Sequence, residues 1–123
     1  MKGVFVTGSN TGVGKTTVAI EIVRHLSQTR DVKVRKPVET NCELSEQNYI
    51  PKDAVALSAA CQQQETLKKV CPYCFEIEAS AEMASTESGE KLILEDLALA
   101  CKRDIDESFV VVEGAGGLYS PIA

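Results

Sequence analysis

The feature that most constrains this chain is a glycine-rich segment near its start, residues 7–17, with the sequence TGSNTGVGKTT. A short apolar run precedes the segment and a stretch with helical apolar spacing follows it, which predicts a strand, a loop and a helix. Glycines let backbone N–H groups approach an oxyanion closely, and the start of a helix adds unpaired N–H groups and the positive end of its dipole. This order of elements predicts a phosphate-binding loop.

Two side chains fit that chemistry. Lys15 is placed to reach the β- and γ-phosphates of a nucleotide, and the Thr16 hydroxyl is placed to hold Mg²⁺. The spacing departs from the standard phosphate-loop pattern, because five residues rather than four separate Gly8 from Gly14. The alternative is a glycine turn that leads into an ordinary helix, but the flanking strand and helix favour phosphate binding.

Size and composition narrow the class of protein. With 123 residues the chain forms one domain at most, and its net charge of −5 gives no general basic surface for nucleic acid. No apolar run approaches the roughly 20 residues of a membrane span, and Met1 leads into a strand without a signal-peptide pattern. Five cysteines with irregular spacing are typical of reduced thiols. We therefore expect a cytoplasmic protein that does not bind nucleic acid or membranes.

Apolar patterns predict an α/β fold with a parallel sheet flanked by helices. A strand is expected over 3–7, where the consecutive apolar residues Val4, Phe5 and Val6 suit a strand that is buried on both faces. Further strands are expected over 31–36 and, centrally, over 109–112. A surface loop is expected over 41–51. Helices are expected over 15–28, over 53–61, over 80–86 and over 94–103, and the second of these is expected to resume over 65–70. Their apolar stripes are Val18, Ala19, Ile22, Val23 and Leu26 in the first, and Leu94, Leu97, Ala98 and Cys101 in the last.

Polar residues at strand ends are the next candidates for a site. Lys36 ends the second strand, and ligands of open α/β sheets bind beyond the carboxyl ends of the strands. A solvated lysine is the alternative there. Asp53 precedes an apolar helical segment, which is typical of a helix N-cap, and a metal-binding role does not follow from Asp53 alone. The single histidine, His25, is interpreted as a surface or boundary residue of the first helix, and a catalytic role is the disfavoured alternative.

A C-x-x-C pair, Cys71 and Cys74, leaves three interpretations open. A structural zinc site would need two more ligands, and the other cysteines are single. Redox chemistry and ordinary packed thiols are the alternatives, and packed thiols are favoured.

The second informative stretch is residues 108–117, SFVVVEGAGG. Its continuous β-branched run predicts a central parallel strand with Glu113 at the carboxyl end. In phosphate-loop proteins an acidic residue at this place holds Mg²⁺ directly or through water. The glycines that follow allow backbone N–H groups to face a ligand closely.

Four motifs together resemble the dethiobiotin synthetase family. They are residues 7–16 (TGSNTGVGKT), 36–40 (KPVET), 52–57 (KDAVAL) and 112–121 (VEGAGGLYSP), in the family's order and spacing. The family shares the longer loop before Gly14. The resemblance implies a P-loop NTPase-like fold and an ATP-dependent cyclo-ligase of biotin biosynthesis. Its reaction converts 7,8-diaminopelargonate, CO₂ and MgATP to dethiobiotin, ADP and phosphate, and the resemblance also implies a homodimer.

The resemblance also implies roles for individual residues. Lys15 and Lys36 are the expected catalytic cations. The expected metal ligands are Thr16, Asp53 and Glu113. The expected substrate contacts are Thr11, Thr40, Gly116 and Gly117. The expected ATP-binding residues are Asn10, Thr11, Gly12, Val13, Gly14, Lys15, Thr16, Thr17, Asp53 and Glu113.

Some features depart from the family. Many members carry an acidic residue where this chain has Gly12, and their chains are substantially longer. We therefore expect residues 1–123 to be a single domain truncated at its C-terminus. A nucleotide-binding module without full activity is one alternative. Others are a ParA/MinD-type ATPase, which would have a lysine in place of Asn10, and a cobyrinate-type amidating synthase, which would need a glutaminase domain.

Overall fold

The computed structural model describes residues 2–7, 14–76, 86, 89 and 92–115. The elements in chain order are β1 Lys2–Val6, α1 Lys15–Leu26, β2 Val32–Arg35, β3 Val38–Glu39, β4 Glu43–Ser45, β5 Asn48–Ile50, α2 Lys52–Ala59, α3 Leu67–Val70, β6 Tyr73–Cys74, α4 Leu94–Lys102 and β7 Phe109–Glu113. The helix expected over 80–86 lies outside the described residues except for Thr86.

The main sheet is parallel, with strand order β1-β7-β2. Val110 and Val111 of β7 are fully buried, as the continuous apolar run predicted for a central strand. The register pairs Val6 of β1 with Glu113, and Arg35 of β2 with Val112. All three strands therefore end at the same edge, and the predicted α/β fold is confirmed.

The core fills the space between this sheet and the helices α1, α2 and α3. Ala19 and Val23 of α1 are fully buried there. Val18, which the sequence placed in the buried stripe, is 52% exposed. Val18 lies about 100° around the helix from Ala19, so it falls outside the face of α1 that packs against the core. That face is narrower than the apolar pattern predicted.

Strand β1 is less buried than predicted. Val4 is 37% exposed and Phe5 is 58% exposed, so the expectation that both faces are covered is wrong for the described part of the chain. The reason is the position of β1 at one end of the strand order, where β7 is its single partner among the described strands. At Gly3 an added Cβ would lie 2.3 Å from the Val110 carbonyl oxygen, so only glycine fits this register.

The segment 41–51 is not the irregular loop that its polar composition predicted. It contains an antiparallel hairpin in which β4 pairs with β5 and Ser45 faces Asn48. The turn residues Glu46 and Gln47 both have positive φ, 49° and 71°. A two-residue turn with that backbone usually contains asparagine or glycine, so the sequence carried no hairpin signal.

Helix α4 buries only part of its predicted apolar stripe. Leu97 and Ala100 are buried, whereas Leu94 is 68% exposed and Ala98 is exposed. Leu97 packs with Val38, Phe75 and Leu92 in a second small core, so the packing of β3 and β6 selects the face. None of the helices in the described part of the chain has the length and apolar character needed to cross a bilayer.

Candidate active site

A buried ion pair occupies the carboxyl edge of the main sheet. Lys36, the first residue after β2, donates from Nζ to Glu113 Oε2 at 2.6 Å. The side chains of Lys36 and Glu113 are 4% and 1% exposed. Lys36 Nζ also donates to the Gly114 carbonyl oxygen at 3.1 Å. The alternative interpretation of Lys36 as a solvated strand-end lysine is therefore wrong, since burial at this edge requires its charge to be paired.

The first turn of α1 meets the same carboxylate. Thr16 Oγ1 donates to Glu113 Oε2 at 3.1 Å, which joins two residues 97 positions apart in the chain. Gly14 adopts the left-handed backbone, with φ of 86°, directly before α1, and its carbonyl accepts from the Val18 N–H. Because the last glycine of the loop takes a conformation that other residues rarely adopt, the chain can turn sharply into the helix at this point.

Helix α2 supplies the third side of the site. Asp53 Oδ2 lies 4.0 Å from Lys36 Nζ, and the Asp53 side chain is 48% exposed. The expectation that Asp53 is the N-cap is wrong, because α2 begins at Lys52 and Asp53 lies within its first turn. Its carboxylate therefore extends from the helix start toward the lysine instead of folding back on the backbone.

The helix start is capped by Glu39, which sequence reasoning missed. Glu39 Oε2 accepts from the Asp53 N–H and Glu39 Oε1 accepts from the Ala54 N–H, both at 3.0 Å. Burial raises the pKa of the Glu39 carboxyl, and the two backbone hydrogen bonds partly oppose that shift. Its partners are 14 and 15 residues away, so no local pattern around Glu39 announces them. The sequence signal that could have indicated a distant cap was Pro51, because the residue before the helix has no side-chain acceptor for the helix N–H groups.

The predicted site residues divide into three groups. Thr16, Lys36, Asp53 and Glu113 are brought together, and Gly14 lies beside them at the start of α1. Lys15 and Thr40 are partly buried and Thr17 is exposed. The remaining predicted residues, Asn10, Thr11, Gly12, Val13, Gly116 and Gly117, lie outside the described part of the chain.

One carboxylate oxygen in this group lacks a partner. Glu113 Oε1 is buried and accepts no hydrogen bond from the described residues. With the Thr16 hydroxyl and the Asp53 carboxylate it supplies the hard oxygen atoms that Mg²⁺ prefers. Across the described ranges no three His, Cys, Asp or Glu side chains form a metal-binding group. Mg²⁺ is usually held by only one or two carboxylates together with waters and phosphates, so the residues present fit it.

Three of the five cysteines, Cys42, Cys71 and Cys74, lie together beside β3. The Cys71 and Cys74 sulfurs are 3.7 Å apart, and the Cys42 thiol contacts Cys74. All five cysteines are free thiols. The hydrogen bond to Cys74, together with burial, raises the pKa of Cys42 far above its usual range. Contact with Cys42 lowers the pKa of Cys74, but Cys71 and burial outweigh it and the pKa reaches about 12. The described residues thus favour packed thiols over a zinc site.

A parallel sheet with a glycine turn into a helix at its carboxyl edge, beside a buried lysine and a carboxylate, defines a P-loop NTPase-like α/β protein. A family model described as an AAA domain matches residues 2–123. The chain belongs to this AAA-domain family.

Curated relatives agree with the resemblance found in the motifs. The ATP-dependent dethiobiotin synthetase BioD of Ruthia magnifica subsp. Calyptogena magnifica is 54% identical over 100% of this chain and 56% of its own length. The protein of the same name from Vesicomyosocius okutanii subsp. Calyptogena okutanii is 50% identical over the same shares. A third, from Xanthomonas euvesicatoria pv. vesicatoria, is 34% identical over 97% of this chain and 54% of its own length. The chain spans about half the length of these curated relatives.

Proposed function

We propose that this chain is the nucleotide-binding part of an ATP-dependent dethiobiotin synthetase. The observation that carries the proposal is the whole-chain identity of 54% to a protein of that name. The substrates would be 7,8-diaminopelargonate, CO₂ and ATP, and the products dethiobiotin, ADP and phosphate. One amine of the diamine becomes a carbamate, a carbamate oxygen takes the γ-phosphoryl group, and the second amine closes the ureido ring and expels phosphate.

The physical difficulty of this reaction is charge, because a carbamate anion must approach an anionic phosphate. Preorganised cations at that point stabilise the transition state more than they would in water. Lys36 suits this role because its ammonium group has three N–H donors, and two acceptors within the described residues bind it, at Glu113 and Gly114. One donor is then available for an oxyanion, and Lys15 would bring a second cation to the phosphates.

Thr16, Asp53 and Glu113 would hold Mg²⁺. Bound there, the ion would neutralise phosphate charge and orient the nucleotide. The unpartnered Glu113 Oε1 supports this assignment, since a buried carboxylate oxygen is stabilised by a cation or a donor. The Thr16 hydroxyl, which donates to the other oxygen of Glu113, holds that carboxylate toward α1.

The other assignments are part of the same proposal. The residues proposed to contact ATP are Asn10, Thr11, Gly12, Val13, Gly14, Lys15, Thr16, Thr17, Asp53 and Glu113. Those proposed to contact the diamine or its carbamate are Thr11, Thr40, Gly116 and Gly117. We also propose that the complete protein is a cytoplasmic homodimer.

The test uses the complete natural protein with 7,8-diaminopelargonate, ¹³C-bicarbonate and MgATP. Dethiobiotin labelled in its ureido carbon, formed in step with ADP, is the expected product by mass spectrometry. The Lys36→Met variant should lose this product, whereas Lys52→Met, which removes a solvent-exposed lysine, should keep it. ATP binding or hydrolysis without labelled dethiobiotin would reject the proposal in favour of an unrelated ATPase or a nucleotide-binding module.

A further inference from the structure

Helix α2 lacks a local cap at the end that faces the site. The residue before it is Pro51, whose side chain has no hydrogen-bond acceptor. In an ordinary cap, the side chain at that position accepts from the second or third N–H of the helix. Those groups belong here to Asp53 and Ala54, so both donors need an acceptor from elsewhere in the fold.

Glu39 fills this role with both of its carboxylate oxygens. It is 5% exposed, and each oxygen takes one of the two N–H groups at 3.0 Å. The carboxylate also carries negative charge to the positive end of the α2 dipole. Glu39 lies on β3, three residues after Lys36, so the same short segment supplies both the buried lysine and the cap.

We propose that Glu39 is a positioning residue that ties the start of α2 to β3 and thereby holds Asp53 beside Lys36. The inference rests on the proposed role of this edge as a Mg²⁺–nucleotide site. Asp53 is half exposed, and within the described residues its carboxylate has a single oppositely charged partner, Lys36, at 4.0 Å. Its position therefore depends on its backbone, and Glu39 is the group that holds that backbone.

A simple cap and a positioning tie predict different results, because Pro51 can be changed to a residue that caps the helix locally. Pro51→Ser supplies a local acceptor for one of these two N–H groups without linking α2 to β3. The test uses four variants of the complete natural protein: Glu39→Ala, Glu39→Gln, Glu39→Ala with Pro51→Ser, and Glu65→Gln. Glu65→Gln serves as the matched control, because it removes the carboxylate that accepts a hydrogen bond from the buried Arg35.

Two quantities are measured for each variant. The first is the melting temperature. The second is the Mg²⁺ concentration that gives half-maximal binding of a non-hydrolysable ATP analogue. Where dethiobiotin is formed, kcat and KM are recorded as well. Loss of a residue that orients a metal ligand typically weakens metal binding by 10–100-fold, so Glu39→Ala should raise the Mg²⁺ midpoint on the order of 10-fold. Glu39→Gln, which keeps one acceptor, should give an intermediate value.

Adding Pro51→Ser to Glu39→Ala should restore part of the lost melting temperature but leave the Mg²⁺ midpoint as high as in Glu39→Ala alone. Glu65→Gln should lower the melting temperature without changing the Mg²⁺ midpoint. The inference is overturned if Pro51→Ser restores both quantities, if Glu39→Gln and Glu39→Ala leave the Mg²⁺ midpoint at the wild-type value, or if Glu65→Gln raises it equally. If the wild-type protein binds the Mg²⁺–nucleotide complex but forms no dethiobiotin, the proposed function fails while the Mg²⁺ midpoints still decide the role of Glu39.

Discussion

The buried pair of Lys36 and Glu113 makes a stability prediction that is independent of catalysis. Lys36→Met keeps most of the side-chain volume and removes the ammonium group. Glu113 is then left as a carboxylate with 1% of its side chain exposed and without the cation that lies 2.6 Å away. Removing one partner of a buried pair costs about 3–5 kcal/mol, because the other charge stays buried and uncompensated.

The magnitude can be measured by thermal unfolding of the complete natural protein. For a chain of 150–250 residues each kcal/mol shifts the melting temperature by about 2–4 °C, so Lys36→Met should lower it by roughly 6–20 °C. The matched control is Lys52→Met. Lys52 also lies 2.6 Å from a carboxylate, that of Glu43, but its side chain is 63% exposed, so no measurable change is expected.

A double variant, Lys36→Met with Glu113→Gln, separates stability from function. Both charges are then absent, and the combined loss should be smaller than the sum of the single losses by about 0.5–3 kcal/mol. Activity should stay absent, because neither cation nor carboxylate is available for the nucleotide. Strictly additive losses, or a Lys36→Met melting temperature equal to that of Lys52→Met, would refute the buried pair.

Three further predictions follow from single contacts. Thr16→Val should raise the Mg²⁺ concentration needed for half-maximal nucleotide binding on the order of 10-fold. Thr16→Ser keeps the hydroxyl and should have the wild-type midpoint in the same titration. Equal midpoints for the two variants would contradict the role of the hydroxyl. Gly3→Ala should destabilise the protein by more than the roughly 1–3 kcal/mol of ordinary overpacking, because the new Cβ would lie 2.3 Å from a backbone carbonyl of β7. Gly114→Ala is the control, since its Cβ would meet the exposed ring of Phe5 at 3.0 Å and should cause a smaller loss of stability. Urea denaturation measures both variants, and the reverse order would show that β1 and β7 are not paired in this register. One neighbouring thiol lowers the pKa of the Cys74 thiol, but the other thiol and burial outweigh it and raise the pKa, so iodoacetamide at pH 8 should alkylate Cys74 much more slowly in the native than in the unfolded protein, and faster as the pH rises. Mass spectrometry measures the labelling, and a native rate equal to the unfolded rate would contradict the thiol cluster.

The sequence predicted the parts of this fold that depend on patterns within one element. The continuous apolar run of 109–112 predicted a central parallel strand, and the glycine-rich segment before Lys15 predicted the turn into α1. Because parallel strands share a carboxyl edge, the strands predicted over 31–36 and 109–112 also placed Lys36 and Glu113 at the same edge. The prediction of Lys36 at the ligand edge therefore followed from topology and needed no knowledge of side-chain packing.

What the sequence could not predict depends on which element packs against which. The exposure of Val18 and Leu94 follows from the neighbours of α1 and α4, and apolar spacing alone does not identify those neighbours. The hairpin over 43–50 uses positive φ at two residues that seldom adopt it, so composition indicated a loop.

Asp53 shows how two interpretations of one residue compete when only the sequence is known. An aspartate before an apolar helical segment is usually a cap, and that interpretation competed with a role in metal binding. In the structure Glu39 accepts hydrogen bonds from the two N–H groups at the start of α2, so Asp53 is not needed as a cap. Its carboxylate extends toward Lys36 instead. A distant cap of this kind carries no local signal. It buries a carboxylate whose pKa is raised, and it leaves the Asp53 side chain free of the helix backbone, as the proposed Mg²⁺ site would require.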